Sequence, residues 1–298
     1  MIQNITIVGV GLIGGSFALA LREAGHRLHF TGAGRNEQSL QRAVERGIVD
    51  NYHTSVAEAV AESDLVLLAT PVGATDAVLD QIAPVAGSNT IITDAGSVKQ
   101  SVIDSARQRL PHFENFVPAH PIAGTEHSGV EAGFASLYNG KRLILTPVAE
   151  TSQVAIAQVA ELWKSTGAVI EQMEPQHHDA IFAATSHLPH MVAFSLVETL
   201  YRMDKESPLL HHAGSGFADY TRIASSDPVM WRDVCLYNRE ALLASLGQFT
   251  DGLDALVNAI ESKDGEALEQ IFATAKRTRD TKVLHSSNEA GNISRKNK

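Results

Sequence analysis

A doubly wound parallel α/β sheet followed by an all-helical region is the fold that this 298-residue sequence predicts. Three observations favour it. An apolar run, a glycine-rich turn and an Ala/Leu-rich segment open the chain within residues 5–21. Near-continuous apolar runs then alternate with amphipathic segments to about residue 172, which is typical of buried parallel strands joined by helices. From Pro175 onward only helical periodicity remains.

The opening strand, Ile5 to Val8, runs into Gly9-Val10-Gly11-Leu12-Ile13-Gly14 and then a helix. Gly9 permits the turn, Gly11 lets backbone N–H groups approach a pyrophosphate, and Gly14 lets the helix pack close to the strand. An anion would lie at the helix N-terminus. This strand-turn-helix predicts a Rossmann-type dinucleotide-binding site, and the alternative is a glycine-rich turn without a ligand.

Further strands and helices follow in the order expected of this fold. We predict strands at 27–31, 65–70, 90–94, near Phe116, at 143–146 and at 168–172, and helices at 37–46, 75–82, 98–109 and 153–166. The predicted domains are residues 1–173 (dinucleotide binding) and 174–280 (helical, for substrate and dimerisation), with a disordered tail at 281–298.

The helical half is expected to be interrupted at Pro189, Pro208 and Pro228. Apolar residues at three- and four-residue spacing from Leu236 to Ile260 need a covering surface, and a two-fold homodimer would supply one.

Composition narrows the class of partner. A net charge of −10 argues against nucleic acid or an anionic membrane and favours a small metabolite. The single cysteine, Cys235, is expected to be a structural thiol, and a reducing, cytoplasmic compartment follows as the default. We find no signal peptide and no apolar run of the ~18 residues that a membrane span requires.

The candidate base is His120, in His120-Pro121-Ile122-Ala123-Gly124-Thr125-Glu126 after a short strand. Loops at the carboxyl ends of parallel strands line the ligand crevice, so His120 would face the nicotinamide end of a cofactor. A histidine there can take a hydroxyl proton while hydride leaves the same carbon. The alternative is a loop histidine that is hydrogen-bonded to the backbone.

Three other polar segments are candidate substrate contacts. Ser186 and His190 lie four residues apart on one helical face, where they could be satisfied core groups or line a substrate pocket. Arg222 could pair with a substrate carboxylate or with a neighbouring aspartate. Ser97 could cap the following helix, meet the substrate, or do both. Histidines are numerous, but none stands at a recognised zinc spacing, so we expect no metal.

Taken together, the glycine turn, Asp94 to Lys99, His120 to Gly129, Ser186 to His190, Gly214 to Arg222 and Asp227 to Trp231 resemble the prephenate/arogenate dehydrogenase family of tyrosine biosynthesis. The resemblance covers nearly the whole chain. It implies oxidative decarboxylation of prephenate to 4-hydroxyphenylpyruvate by a Rossmann domain joined to a helical dimerisation domain.

The resemblance also implies residue roles. His120 matches the catalytic base and Ser97 a serine that positions the substrate hydroxyl. The residues that it implies for substrate binding are Arg222, His190, Ser186, Glu126, His187 and Trp231. The residues expected to bind the cofactor are Gly9, Gly11, Leu12, Ile13, Gly14, Arg35, Thr70 and Pro71.

Cofactor and substrate preference can be predicted further. An NAD-specific site normally has an acidic residue about 20 residues beyond the glycine turn, but this chain has Gly34 followed by Arg35, so NADP is expected to be preferred, with use of both NADP and NAD as the alternative. In the family, Glu126 and His190 accompany prephenate use, so prephenate is the expected substrate, with arogenate as a second one. Any feedback inhibition by tyrosine would act at the active site.

Two other classes of protein remain as alternatives. One is a β-hydroxyacid dehydrogenase of similar architecture, which would use a catalytic lysine where this chain has Ser186-His187-Leu188-Pro189-His190. The other is a nucleotide-sensing module, which would retain the glycine turn without the base.

Overall fold

The computed structural model describes residues 2–125, 127–204 and 209–283, the last without the side chain of Val283. Six parallel strands form the main sheet in the order β3-β2-β1-β4-β5-β6. Their bounds are β1 Asn4–Val8, β2 His29–Ala33, β3 Asn51–His53, β4 Leu65–Leu68, β5 Ile91–Asp94 and β6 Phe116–Val117. The chain order reverses between β1 and β4, so the carboxyl ends of these two strands flank the crevice where such sheets bind ligands.

Helices cover both faces of this sheet. They are α1 Leu12–Glu23, α2 Glu37–Glu45, α3 Val56–Val60, α4 Thr75–Ile82 and α5 Gln100–Arg109. One apolar core includes Phe17 and Leu21 of α1, and the other includes Leu79 and Ile103 on the opposite face. The predicted doubly wound α/β class is therefore confirmed, although β3 and α3 were not predicted.

Two strands that the sequence assigns to the main sheet form a separate one, together with a third strand that was not predicted. They are β7 Ala119–Pro121, β8 Arg142–Leu145 and β9 Val169–Gln172, with β7 antiparallel and β9 parallel to β8. Pro118 separates β6 from β7 and cannot donate a ladder hydrogen bond, so the chain changes sheets there. Helix α6, Gln153–Ser165, connects β8 to β9, and its Trp163 packs on Phe17 with ring centroids 4.6 Å apart.

Helix α7, Pro175–Phe182, continues through a π-helical turn, Ala183–His187, into α8, Leu188–Asp204. The predicted break at Pro189 is therefore wrong. A proline ring normally clashes with the carbonyl four residues earlier, and the wider π turn directly before Pro189 relieves that contact. The predicted break at Pro208 lies outside the described residues.

The remaining helices of this part are α9, Ser215–Thr221, and α10, Pro228–Tyr237. The predicted interruption at Pro228 is confirmed, because Pro228 is the first residue of α10 and the Asp227 carboxylate caps that helix.

The helical run Pro175–Asp204 is long and apolar enough to cross a membrane by length and composition, contrary to the sequence expectation. One such helix is weak evidence, since helices of soluble proteins pass the same test. Its first turns carry His178 and Asp179, which are buried and hydrogen-bonded to the α/β part of the chain. These contacts are those of a helix within a folded protein.

The chain divides into two compact units, Met1–Arg239 and a second that begins at Glu240. The second contains most of α11, Arg239–Glu261, then α12, Gly265–Thr278, and a π-helical turn, Arg279–Val283. The predicted boundary at residues 173/174 marks a change in secondary structure and stays a prediction. The predicted tail begins inside the last helical turn, and its residues 284–298 lie outside the described residues.

Candidate active site

The glycine turn that joins β1 to α1 is tightly packed at Gly9 and Gly14. Gly9 has φ +98°, and a Cβ there would lie 2.6 Å from the Ala69 carbonyl oxygen. A Cβ on Gly14 would lie 2.5 Å from the Gly9 carbonyl oxygen and from Ile7 Cγ2. At Gly11, by contrast, a Cβ would meet no protein atom within 4 Å, and no side chain caps the first turn of α1. Open space beside uncapped N–H groups fits a dinucleotide pyrophosphate.

The other predicted cofactor residues lie at the carboxyl edge of the main sheet. Leu12 and Ile13 open α1, and Thr70 and Pro71 follow β4 directly, with the Thr70 side chain next to Gly9. Arg35 is exposed two residues beyond the end of β2.

His120 was expected in a loop after a strand, but it lies in the centre of β7, opposite Ile144 of β8. The Asp94 carboxylate at the end of β5 accepts the backbone N–H of Ala119 at 3.0 Å, which fixes the start of β7. Lys99, fully buried, pairs with Asp94 and donates to the Ala119 carbonyl oxygen at 2.7 Å. These bonds hold His120 next to the carboxyl end of β5.

His120 is the first of three hydrogen-bonded side chains, followed by His178 and Asp179. His120 Nδ1 is 2.8 Å from His178 Nε2, and His178 Nδ1 is 2.9 Å from Asp179 Oδ1. Neither His178 nor Asp179 was selected as a site residue from the sequence. The available signal was a His-Asp pair in the first turns of a helix that directly follows the last strand. Within the described residues, no group of three or more His, Cys, Asp or Glu side chains is arranged to hold a metal ion.

The electrostatic environment keeps His120 neutral. Burial lowers the pKa of His120 well below its ordinary value, and the neighbouring His178, Lys99 and His187 lower the same pKa further. Burial also lowers the pKa of His178, although Asp179 acts in the opposite direction. A neutral imidazole retains the lone pair that a general base needs.

Ser97 is half-buried in the segment between β5 and α5. It does not cap α5, since Lys99 is the N-cap residue and the Asp179 carboxylate accepts the N–H groups of Lys99 and Gln100 at 2.8 and 2.9 Å. The capping interpretation of Ser97 is therefore wrong, because an acid from α7 supplies the cap.

His190 stacks on Trp231 of α10, with ring centroids 3.7 Å apart. Its Nδ1–H donates to the Ser186 carbonyl oxygen at 2.9 Å, which leaves Nε2 as an acceptor. Burial lowers the pKa of His190, and the positive charge of the nearby Arg222 lowers it further. The structure thus brings together His190, Ser186, Trp231 and Arg222, which is an exposed residue at the start of the short turn Arg222–Ser225.

His187 is also buried. The Asn238 amide donates to the Asp179 carbonyl oxygen at 2.9 Å and to His187 Nδ1 at 3.1 Å, so His187 carries its hydrogen on Nε2. Burial lowers the pKa of His187 to about 4. Neither His187 Nε2 nor Trp231 Nε1 has a hydrogen-bond partner in the described structure, so we expect an acceptor from ligand or solvent there. The predicted substrate residue Glu126 lies outside the described residues.

Two features define the class of dinucleotide-dependent dehydrogenases: an open glycine turn at the carboxyl edge of the main sheet, and a buried, neutral histidine next to the carboxyl end of β5. Residues 17–172 match the family model for the nucleotide-binding domain of prephenate dehydrogenase, and residues 174–274 match that for its dimerization domain. The chain belongs to the prephenate dehydrogenase family. The second match supports a homodimer.

Individual relatives are named for the same family of enzymes. The chain is 39% identical to a cyclohexadienyl dehydrogenase of Zymomonas mobilis, covering 93% of this chain and 95% of the relative. It is 38% identical to a prephenate dehydrogenase of Bacillus subtilis, over 94% of this chain and 76% of the relative. Among solved structures, prephenate dehydrogenase from Aquifex aeolicus in complex with hydroxyphenyl propionate and NAD+ is 38% identical, with a TM-score of 0.88 and coverage of 94% and 98%.

Proposed function

We propose that this protein catalyses the oxidative decarboxylation of prephenate to 4-hydroxyphenylpyruvate and CO2, as a step of tyrosine biosynthesis. The nicotinamide cofactor, when bound, would accept the hydride from ring carbon C4. The proton of the C4 hydroxyl goes to His120 and C4 becomes a carbonyl carbon. The bond between the ring and its carboxylate then breaks, that electron pair makes the ring aromatic, and the resulting phenolate oxygen takes a proton back from His120 to give the product. Aromatisation supplies driving force, so the protein has to orient the substrate and remove one proton.

The neutral His120 beside the carboxyl edge of the sheet is the observation that carries this proposal. Its low pKa leaves the imidazole unprotonated at neutral pH. A β-hydroxyacid dehydrogenase of the alternative kind would need a catalytic lysine in the helical half, where this chain has His187 and His190. Lys99, the one lysine bonded to this site in the described structure, is paired with Asp94 and belongs to the loop after β5.

The substrate-binding residues follow from charge. Prephenate carries two carboxylates, and the guanidinium of Arg222 lies near His190 on the helical side of the pocket. We propose that Arg222 pairs with the side-chain carboxylate, because a guanidinium can bind a carboxylate with two parallel hydrogen bonds. Ser97 would position the C4 hydroxyl, with the other contacts supplied by Ser186, His187, His190, Trp231 and Glu126.

Prephenate is the proposed main substrate, with arogenate as a second one. The relatives include enzymes named for both specificities, since an arogenate dehydrogenase of Synechocystis is 28% identical with a TM-score of 0.76. Tyrosine, which resembles the product, would inhibit by occupying the same site. The protein would act as a cytoplasmic homodimer.

We propose NADP as the preferred cofactor. Arg35 is exposed just beyond β2, where an acidic residue would repel a 2′-phosphate, and the preceding Gly34 carries no charge. A guanidinium can pair with that phosphate. If Arg35 stays in solvent or stacks on the adenine instead, both cofactors would be used.

The test is a steady-state assay of prephenate and arogenate, each with NADP and NAD, on the native protein and on Arg35→Ala. The proposal expects the highest kcat/KM with prephenate and NADP, and a loss of affinity for NADP alone in Arg35→Ala. Arg27→Ala removes an exposed arginine just before the same strand and serves as the control. Absence of turnover with prephenate would refute the activity, and an unchanged NADP affinity in Arg35→Ala would refute the role of Arg35.

A further inference from the structure

The pair His178 and Asp179 has no part in the cofactor or substrate contacts proposed above. Both residues are buried at the start of α7, directly behind His120. We infer that His178 and Asp179 are positioning residues that fix the tautomer of His120, so that its Nε2 atom carries the lone pair that accepts the substrate proton. The inference rests on the proposed role of His120 as the base.

The direction of these hydrogen bonds determines which ring nitrogen carries the hydrogen in each histidine. A carboxylate only accepts, so the hydrogen between His178 and Asp179 belongs to His178 Nδ1. Burial keeps His178 neutral, and its Nε2 atom therefore has a lone pair. His120 Nδ1, 2.8 Å away, must be the donor in the next bond. The hydrogen of neutral His120 is thus held on Nδ1, and Nε2 is left unprotonated.

The acceptor at the end of this chain is itself fixed. Asp179 accepts the backbone N–H groups of Lys99 and Gln100 at the beginning of α5. A negative charge is favoured at a helix N-terminus, where the N–H groups lack helical partners. Asp179 is therefore held as an oriented acceptor by an element of the main α/β domain, and it cannot rotate away without uncapping that helix.

The same arrangement supports the base after proton transfer. When His120 Nε2 has taken the hydroxyl proton, the imidazolium still donates through Nδ1 to His178, and the Asp179 charge lies one ring further on. The charged groups facing these two rings are Lys99, Asp94 and Asp179, together with the imidazole of His187. Other enzymes also use a histidine base whose second ring nitrogen donates a hydrogen bond to a fixed acceptor.

Simple packing is the competing explanation. Phe182 lies against both rings, with centroids 4.6 Å from His178 and 4.9 Å from His120. If His178 only fills space, an apolar side chain of similar size would serve as well. The two explanations differ at one atom, the acceptor that faces His120 Nδ1.

The experiment compares His178→Leu, which removes that acceptor, with His178→Gln, whose amide oxygen can replace it. His177→Gln, on the exposed neighbouring position of α7, is the control. We expect kcat to fall by at least about tenfold in His178→Leu, with the KM for prephenate and cofactor affinity nearly unchanged, and to recover to within about threefold of native in His178→Gln. Similar kcat values for all three variants would overturn the inference.

Nitrogen NMR of histidine-labelled native protein gives a second readout that needs no substrate. The inference expects His120 to bear its hydrogen on Nδ1 in the native protein and in His178→Gln. Finding that hydrogen on Nε2 in the native protein would overturn the inference even if His178→Leu fails to fold. A native protein that does not oxidise prephenate but shows the Nδ1–H tautomer would refute the proposed function and leave the hydrogen-bond order intact.

Discussion

His120 has to be unprotonated at working pH and still be held close to its substrate. Burial satisfies the first requirement by lowering the pKa of His120, and the backbone of β7, tied to Asp94, satisfies the second. We expect His120→Asn to lower kcat by ~10²-fold or more, the usual weight of positioned general-base catalysis, with a smaller change in KM. His112→Asn, a solvent-accessible histidine paired with Glu114, is the matched control, and near-native kcat in His120→Asn would refute the assignment.

Arg222 is predicted to act on binding and not on proton transfer. Arg222→Ala removes charge-assisted bonds worth about 1.5–3 kcal/mol, so the KM for prephenate should rise by about 10- to 100-fold while cofactor affinity stays the same. Arg222→Lys keeps the charge without the two-pronged geometry and should fall in between. Equal loss of affinity for prephenate and cofactor in Arg222→Ala would indicate a folding defect instead.

At the scale of single elements, the turn between β1 and α1 allows folding and ligand binding to be separated. Gly11→Ala adds a methyl group where no protein atom lies within 4 Å, so thermal stability should stay near native while dinucleotide affinity falls. Gly14→Ala places a methyl group 2.5 Å from a backbone oxygen and should lower the melting temperature itself. Thermal unfolding and cofactor titration of both variants provide the measurement, and native affinity in Gly11→Ala would contradict a phosphate at this position.

The same element shows why part of the fold could be predicted from sequence. Strand β1, its glycines and α1 are specified by residues adjacent in the chain, and local periodicity predicts them well. The separate sheet of β7, β8 and β9 depends on a strand-pairing change at Pro118, which periodicity does not encode. The continuous helix through Pro189 depends on a π turn, and a proline alone predicts the opposite.

The candidate site likewise contains residues that the sequence predicts and contacts that it does not. His120, Ser97 and Arg222 stand in short motifs that could be recognised along the sequence. The pairing of His178 with His120 joins residues 58 positions apart, and the capping of α5 by Asp179 joins residues about 80 apart. Such long-range hydrogen bonds exist only once α7 packs against the sheet edge, so residue spacing could not have predicted them.

At the scale of the whole molecule, α11 presents an apolar face. Leu243, Leu253, Val257 and Ile260 are all at least 44% exposed in the single chain. We expect sedimentation to give twice the chain mass of 32.0 kDa, and Ile260→Glu to shift the protein toward monomer. Asn258→Glu adds the same charge at an exposed polar position nearby and should leave the dimer intact. A native monomer that is stable at micromolar concentration would contradict the prediction.

Acid should destabilise the protein through its buried histidines. The unfolded state binds a proton at each histidine below about pH 6.5, whereas burial holds the pKa of His187 at about 4 and lowers those of His120 and His178. Between these values the unfolded state binds more protons, so the free energy of unfolding falls as the pH falls. For His187 alone the loss is about 3 kcal/mol by pH 4, at roughly 1.4 kcal/mol per pH unit.

His187→Asn tests this origin directly. The asparagine oxygen can still accept from the Asn238 amide, but the side chain cannot take up a proton. Urea unfolding of this variant, followed by the fluorescence of the adjacent Trp231, should therefore depend less on pH between 6.5 and 4 than unfolding of the native protein. His177→Asn removes an exposed histidine of α7 and should leave the native pH dependence unchanged. An identical pH dependence in His187→Asn and the native protein would mean that folding does not lower the pKa of His187, contrary to the effect of its burial and its bond from Asn238.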